Sequence, residues 1–91
     1  MDPIFVLVFV SASCPPCERF KDTYTPEMEG VRVVIVDIED KRELAKELNV
    51  SATPTFVVMK DEEPQEKLIG YPGDKKFREW LRRIRARHKI E

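Results

Sequence analysis

The chain has little of what many small domains rely on. Its 91 residues include two cysteines and one histidine. Two cysteines allow at most one intrachain disulfide, which excludes a framework of several bridges and a four-cysteine zinc site. Long apolar runs are missing as well. The longest, Ile4 to Val10, has seven residues, whereas a membrane span needs roughly 20. No Lys or Arg precedes Arg19, and Cys14 follows the apolar run closely, so no targeting segment is read. The expected compartment is the cytoplasm, or an extracytoplasmic space such as the periplasm if a signal has been removed. A net charge of −1 excludes nucleic-acid binding driven by bulk positive potential. With 42% hydrophobic and 36% charged residues, the chain is too apolar for disorder and too charged for a membrane protein. A chain of this length supports one core, so residues 1–91 are read as a single domain.

What is present alternates between strand-like and helix-like segments. Ile4 to Val10 is short, continuously apolar and rich in β-branched and aromatic residues, as a strand buried on both faces would be. Pro15 and Pro16 suit the first turn of a helix, where a missing N–H has no intrahelical partner. That helix is expected to run to about Met28, with Pro26 breaking its end. Val31 to Ile38 reads as a second strand. Asp40, with Glu43 three residues on, reads as the capping box of a second helix whose apolar face is Leu44 and Leu48. Asn49 reads as that helix's left-handed stop. Thr55 to Met59 is a third strand, Asp61 to Pro64 a turn, and Glu66 to Ile69 an exposed fourth strand. Asp74 is expected to cap a last helix with an apolar face of Phe77, Trp80, Leu81 and Ile84. The first two strands should be parallel and joined by a right-handed crossover, and the last two antiparallel.

The two cysteines stand three apart, as Cys14-Pro15-Pro16-Cys17, where a buried strand gives way to a helix. A helix N-terminus offers unpaired N–H groups and partial positive charge, and both stabilise a thiolate, the reactive form of cysteine. Cys17, one turn on, is close enough to form a disulfide with Cys14. The pair therefore suits thiol–disulfide exchange, with Cys14 attacking and Cys17 resolving the mixed disulfide. Half of a zinc site shared by two chains, or a purely structural disulfide, would use the same residues. The first lacks further ligands, since His88 is the lone histidine. The second closes too small a loop to stabilise much through chain entropy. Pro15 and Pro16 also remove two N–H donors from the first turn, leaving the Cys17 N–H and the Cys17 thiol to stabilise a Cys14 thiolate.

Pro54 follows Val50-Ser51-Ala52-Thr53 and opens an apolar strand, a permitted position for proline. With the cysteine pair, the strand Val6 to Val10, the segment Val50 to Val58 and Gly70, the chain resembles the thioredoxin-like superfamily over essentially its whole length. The resemblance implies a minimal thioredoxin fold, β-α-β-α-β-β-α. Its mixed sheet would have four strands in the order 2-1-3-4, with the first and last helices on one face and the middle helix on the other. It implies Cys14 as nucleophile and Cys17 as resolving thiol. It also implies a cis Pro54 packed on the pair, and Thr53 pairing its backbone with an extended substrate. The expected activity is dithiol–disulfide exchange with protein substrates and a recycling redox partner. The expected protein is a monomer with no bound cofactor, no metal, no nucleic acid and no membrane.

Departures from the family pattern are also legible. Ser13 precedes Cys14 where thioredoxins carry Trp, and Pro15 replaces their Gly. Val8 stands where they bury an aspartate that moves the proton of the second cysteine, and Val33 stands where a lysine often faces it. The Cys17 proton is therefore expected to pass to water or to another acid. Gly73-Asp74 partly echoes the feature that holds the glutathione carboxylate in glutaredoxins, so a glutathione-using enzyme is the rival reading. A non-enzymatic or engineered module on this fold is the other.

Smaller signals remain. Tyr71 is expected either to line a shallow substrate groove or simply to pack. From Asp74 onward there are eight basic and three acidic residues, against eight and fourteen before it. Arg82, Arg83, Arg85, Arg87 and Lys89 read as a solvated helix face rather than a ligand-binding tail. Asn49-Val50-Ser51 matches a glycosylation sequon and is taken as coincidence. His88 is expected to be exposed, and Trp80 to be core or half-buried.

Overall fold

The computed structural model describes residues 4–88. Lys89 lies outside the described residues. Strand β1 (Ile4–Val10) leads into helix α1 (Pro15–Thr23). Strands β2 (Glu27–Met28) and β3 (Val31–Asp37), helix α2 (Arg42–Glu47), strands β4 (Thr55–Lys60) and β5 (Glu63–Ile69), and helix α3 (Asp74–Arg87) follow. The five strands form one sheet in the order β2-β3-β1-β4-β5. β1 runs parallel to β3 and antiparallel to β4, and β4 is antiparallel to β5.

The expected four strands keep their order, but the sheet has five. The additional strand, β2, arises where the first helix stops early. α1 ends at Thr23, and Tyr24 is already extended (φ −70°, ψ 136°). Pro26 disfavours helical geometry in the residue before it. The Tyr24 hydroxyl donates to the Val33 carbonyl at 2.8 Å, fixing the departing chain against β3. Glu29 and Gly30 then both take left-handed φ values, +52° and +76°. Positive φ at both central residues is what a tight two-residue hairpin requires. Two residues of β2 thus pair antiparallel with β3, burying Met28.

Two capping expectations are also corrected. Asp40 does not cap α2: the N-cap is Lys41, with no side-chain cap bond. Asp37 turns the chain instead, its Oδ1 accepting from the Glu39 N–H at 2.8 Å and its carbonyl from Asp40 and Lys41. Asp74 is the first helical residue of α3 rather than its cap, which is Gly73, and its carboxylate accepts from Arg78 one turn on. Pro64 falls inside β5, on the sheet edge and beside a bulge at Val58/Met59, a position proline tolerates. The turn before it is Asp61-Glu62, both left-handed. Asn49 takes φ +57° just past α2, as its short polar side chain allows.

Alternating side chains of β1 divide the core. Val6, Val8 and Val10 face α1 and α3 with Phe20, Phe56, Phe77, Trp80, Leu81 and Ile84. Leu7 and Phe9 face α2 with Ala45, Leu48, Val50, Val57 and Met59. The first and last helices therefore share one face, and the middle helix takes the other. The basic face of α3 is partly ion-paired. Glu29 accepts from Arg82 at 2.8 Å and from Arg78 at 3.1 Å, and Arg87 reaches Glu66 at 3.1 Å. His88 is half-buried rather than exposed, with Nε2 3.3 Å from Glu66.

Candidate active site

β1 delivers the chain to the cysteine pair. Cys14 is the N-cap of α1, in extended geometry, and Pro15 and Pro16 occupy the first two helical positions. Cys14 and Cys17 are joined by a disulfide, with Cα atoms 5.2 Å apart. The Cys17 N–H donates to Cys14 Sγ at 3.3 Å, the one N–H of that first turn spared by the prolines. Exposure differs between the sulfurs' residues: Cys14 retains 8% of its surface and Cys17 none. Cys17 belongs to the apolar cluster with Val8 and Phe20. Val8, the position that the sequence resemblance matches to a buried aspartate, is thus a packed hydrocarbon in the same cluster as Cys17.

A second segment completes the site from 39 residues away. The Thr53–Pro54 peptide is cis, and Pro54 is buried at the entry to β4. Cys14 Sγ lies 3.7 Å from the Thr53 carbonyl oxygen and 3.8 Å from Thr53 Oγ1. The sheet explains this proximity. β1 and β4 pair antiparallel with Phe9 opposite Thr55. Extending that register by two residues sets Ser11 opposite Thr53, and their hydroxyls are 2.6 Å apart. Gly70, at φ +86°, donates its N–H to the Pro54 carbonyl at 2.9 Å, tying the loop after β5 to the same segment.

Tyr71 is placed differently. Its ring packs on Phe20 at 5.6 Å and on Phe77 at 6.0 Å, and its hydroxyl lies 3.4 Å from Thr23 Oγ1. Thr23 is at the far end of α1 from the cysteines. The structure therefore brings Cys14, Cys17, Thr53 and Pro54 together and sets Tyr71 in the aromatic layer beneath them. Sequence reasoning missed Ser11, because its relation to Thr53 exists only once the β1–β4 register is known. It also passed over Phe20, which contacts four other aromatic rings and anchors the helix that carries Cys17.

A dithiol pair at a helix start, faced by a cis-proline segment at the end of a central sheet, defines a redox protein of the α/β class with helices on both sheet faces. The chain belongs to the family of thioredoxin-like domains, whose pattern matches residues 2–85. It is 31% identical over 84 residues to a thioredoxin of Aspergillus fumigatus, covering 89% of this chain and 78% of that one. It is 35% identical over 71 residues to a thioredoxin of Arabidopsis thaliana, covering 74% of this chain and 60% of the relative, so it spans less than two thirds of that protein's length. Among solved structures, Fasciola hepatica thioredoxin superposes with a TM-score of 0.74 at 28% identity, covering 90% of this chain and 81% of that one.

Proposed function

We propose that the chain is a thiol–disulfide oxidoreductase acting on protein substrates through Cys14 and Cys17. The observation that carries the reading is the closed Cys14–Cys17 disulfide at the start of α1, with Cys14 Sγ against the segment Thr53–Pro54. In the reducing direction a Cys14 thiolate attacks one sulfur of a substrate disulfide. The substrate S–S bond breaks, a mixed disulfide forms on Cys14, and one substrate thiolate leaves. Cys17 then attacks Cys14 Sγ, the second substrate thiolate leaves, and two electrons have passed to the substrate. The face around Cys17 is apolar, so its proton is best accounted for by transfer to the first departing substrate thiolate, directly or through water. The reverse sequence oxidises a substrate dithiol. Substrate lies extended beside Thr53, whose carbonyl already borders the attacking sulfur. A separate redox partner resets the pair, and the cysteines themselves hold the electrons.

Insulin reduction by dithiothreitol tests this. The wild-type chain should accelerate precipitation of the insulin B chain well above background, and Cys14→Ser should return the rate to background. A wild-type rate equal to background, or full activity in Cys14→Ser, would overturn the reading.

A further inference from the structure

The first turn of α1 is poor in donors for an anion. Pro15 and Pro16 have no N–H, which leaves the Cys17 N–H, 3.3 Å from Cys14 Sγ. Cys14 is also largely withdrawn from water, at 8% exposure. A buried thiolate with few donors is disfavoured, so each remaining donor has a large effect on its titration. In the reduced pair the Cys17 thiol is a second donor and the titratable neighbour of Cys14, and the third is the Thr53 hydroxyl, 3.8 Å from the sulfur. A hydroxyl has one hydrogen, and that of Thr53 has two places to go: toward Cys14 Sγ or toward Ser11 Oγ, 2.6 Å away.

We infer that Ser11 is a positioning residue for Cys14: by donating its own hydrogen to Thr53 Oγ1, it leaves the Thr53 hydrogen free to point at the Cys14 thiolate. The inference rests on the thiol–disulfide reading and adds a tuning element to it. When Cys14 is an anion, the charge selects the arrangement Ser11 O–H to Thr53 O–H to sulfur, and each bond of such a chain polarises the next. The Thr53 carbonyl oxygen lies 3.7 Å from Cys14 Sγ in the disulfide, so on reduction a neutral Cys14 thiol has an acceptor within reach and the hydroxyl pair is free to reverse. The chain of hydroxyls thus favours the reactive form without any net proton transfer. It stands in for the donors that the two prolines remove. The sheet places it, since Ser11 leaves β1 in the register that meets Thr53 entering β4.

The test is the pH dependence of iodoacetamide alkylation at Cys14 in the reduced full chain, with the site of alkylation read by mass spectrometry. Thr53→Val should raise the midpoint by about one pH unit, the size expected for loss of one hydrogen bond to a charged group. Ser11→Ala should raise it by a smaller amount, and Ser11→Thr, which keeps a hydroxyl, should restore the wild-type value. The double variant Ser11→Ala with Thr53→Val should match Thr53→Val alone, because Ser11 acts through Thr53. Ser11→Gly gives a second hydroxyl-free variant should Ser11→Ala fold poorly. An unchanged midpoint in the hydroxyl-free Ser11 variants, a shift in Ser11→Thr equal to that in Ser11→Ala, or additive shifts in the double variant would overturn the inference. Insulin reduction that depends on Cys14 would leave the underlying activity standing in any of those cases.

Discussion

The two faces of the sheet are built to different standards. On the face that holds α1 and α3, Phe20, Phe56 and Phe77 are fully buried and meet at ring-centre distances of 5.2, 5.3 and 4.6 Å. On the other face α2 is only six residues long, and Phe5, Val34, Val36, Ile38 and Leu44 remain half-buried. A groove of about 490 Å³ opens there, lined by Phe5, Leu7, Val34, Leu44 and Met59 among others. The cysteines belong to the tightly packed face. A disulfide pair that must present one sulfur and hide the other needs its helix held still, and edge-to-face aromatic packing under Phe20 supplies that.

The difference predicts unequal responses to truncation. Phe20→Ala should cost about 3–5 kcal/mol of folding stability, because the cavity it leaves is enclosed by rings and strands that cannot collapse into it. Leu44→Ala, on the looser face, should cost about 1–2 kcal/mol, since part of that side chain already faces water. Urea denaturation of both variants checks this, and equal losses would break the contrast between the faces.

That contrast was partly visible in the residues alone. The apolar pattern of Phe77, Trp80, Leu81 and Ile84 marks the inner side of α3, and Trp80 is indeed buried. The continuous run Ile4 to Val10 marks a strand covered on both sides. The cysteine motif and Thr53-Pro54 were legible because prolines and cysteines carry strong local meaning at fixed spacings. The hairpin at Glu29-Gly30 was not, because a two-residue strand has no periodicity to read and Glu29 is an unusual left-handed residue. Asp40 and Asp74 misled for a shared reason. An acidic residue before a helix signals a cap, yet it can equally shape the preceding turn, or sit one position inside and pair with Arg78. Ser11 carries no local signal at all, since its partner is set by strand register.

A smaller effect separates the ion-paired edge from both faces. Glu29 has its carboxyl held below the ordinary value of 4.5, first by the hydrogen bond from Arg82 and then by that from Arg78. A carboxylate with a lowered folded pKa stabilises the fold above its unfolded value, and that stabilisation is lost as pH falls through the folded one. Glu29→Gln should therefore lower Tm slightly at neutral pH, and the difference from wild type should shrink as pH falls below 4.5. A constant difference across that range would assign the effect to the turn rather than to the charge.

The central claim is that Cys14 attacks and Cys17 resolves. Its most direct measurement is a trap: incubate reduced Cys17→Ser with a disulfide-containing protein such as insulin and map the adduct by mass spectrometry under non-reducing conditions. The account predicts a stable mixed disulfide at Cys14 that dithiothreitol releases and that the wild-type chain does not accumulate. No adduct on Cys14 in the Cys17→Ser protein, or the same adduct persisting in wild type, would contradict it.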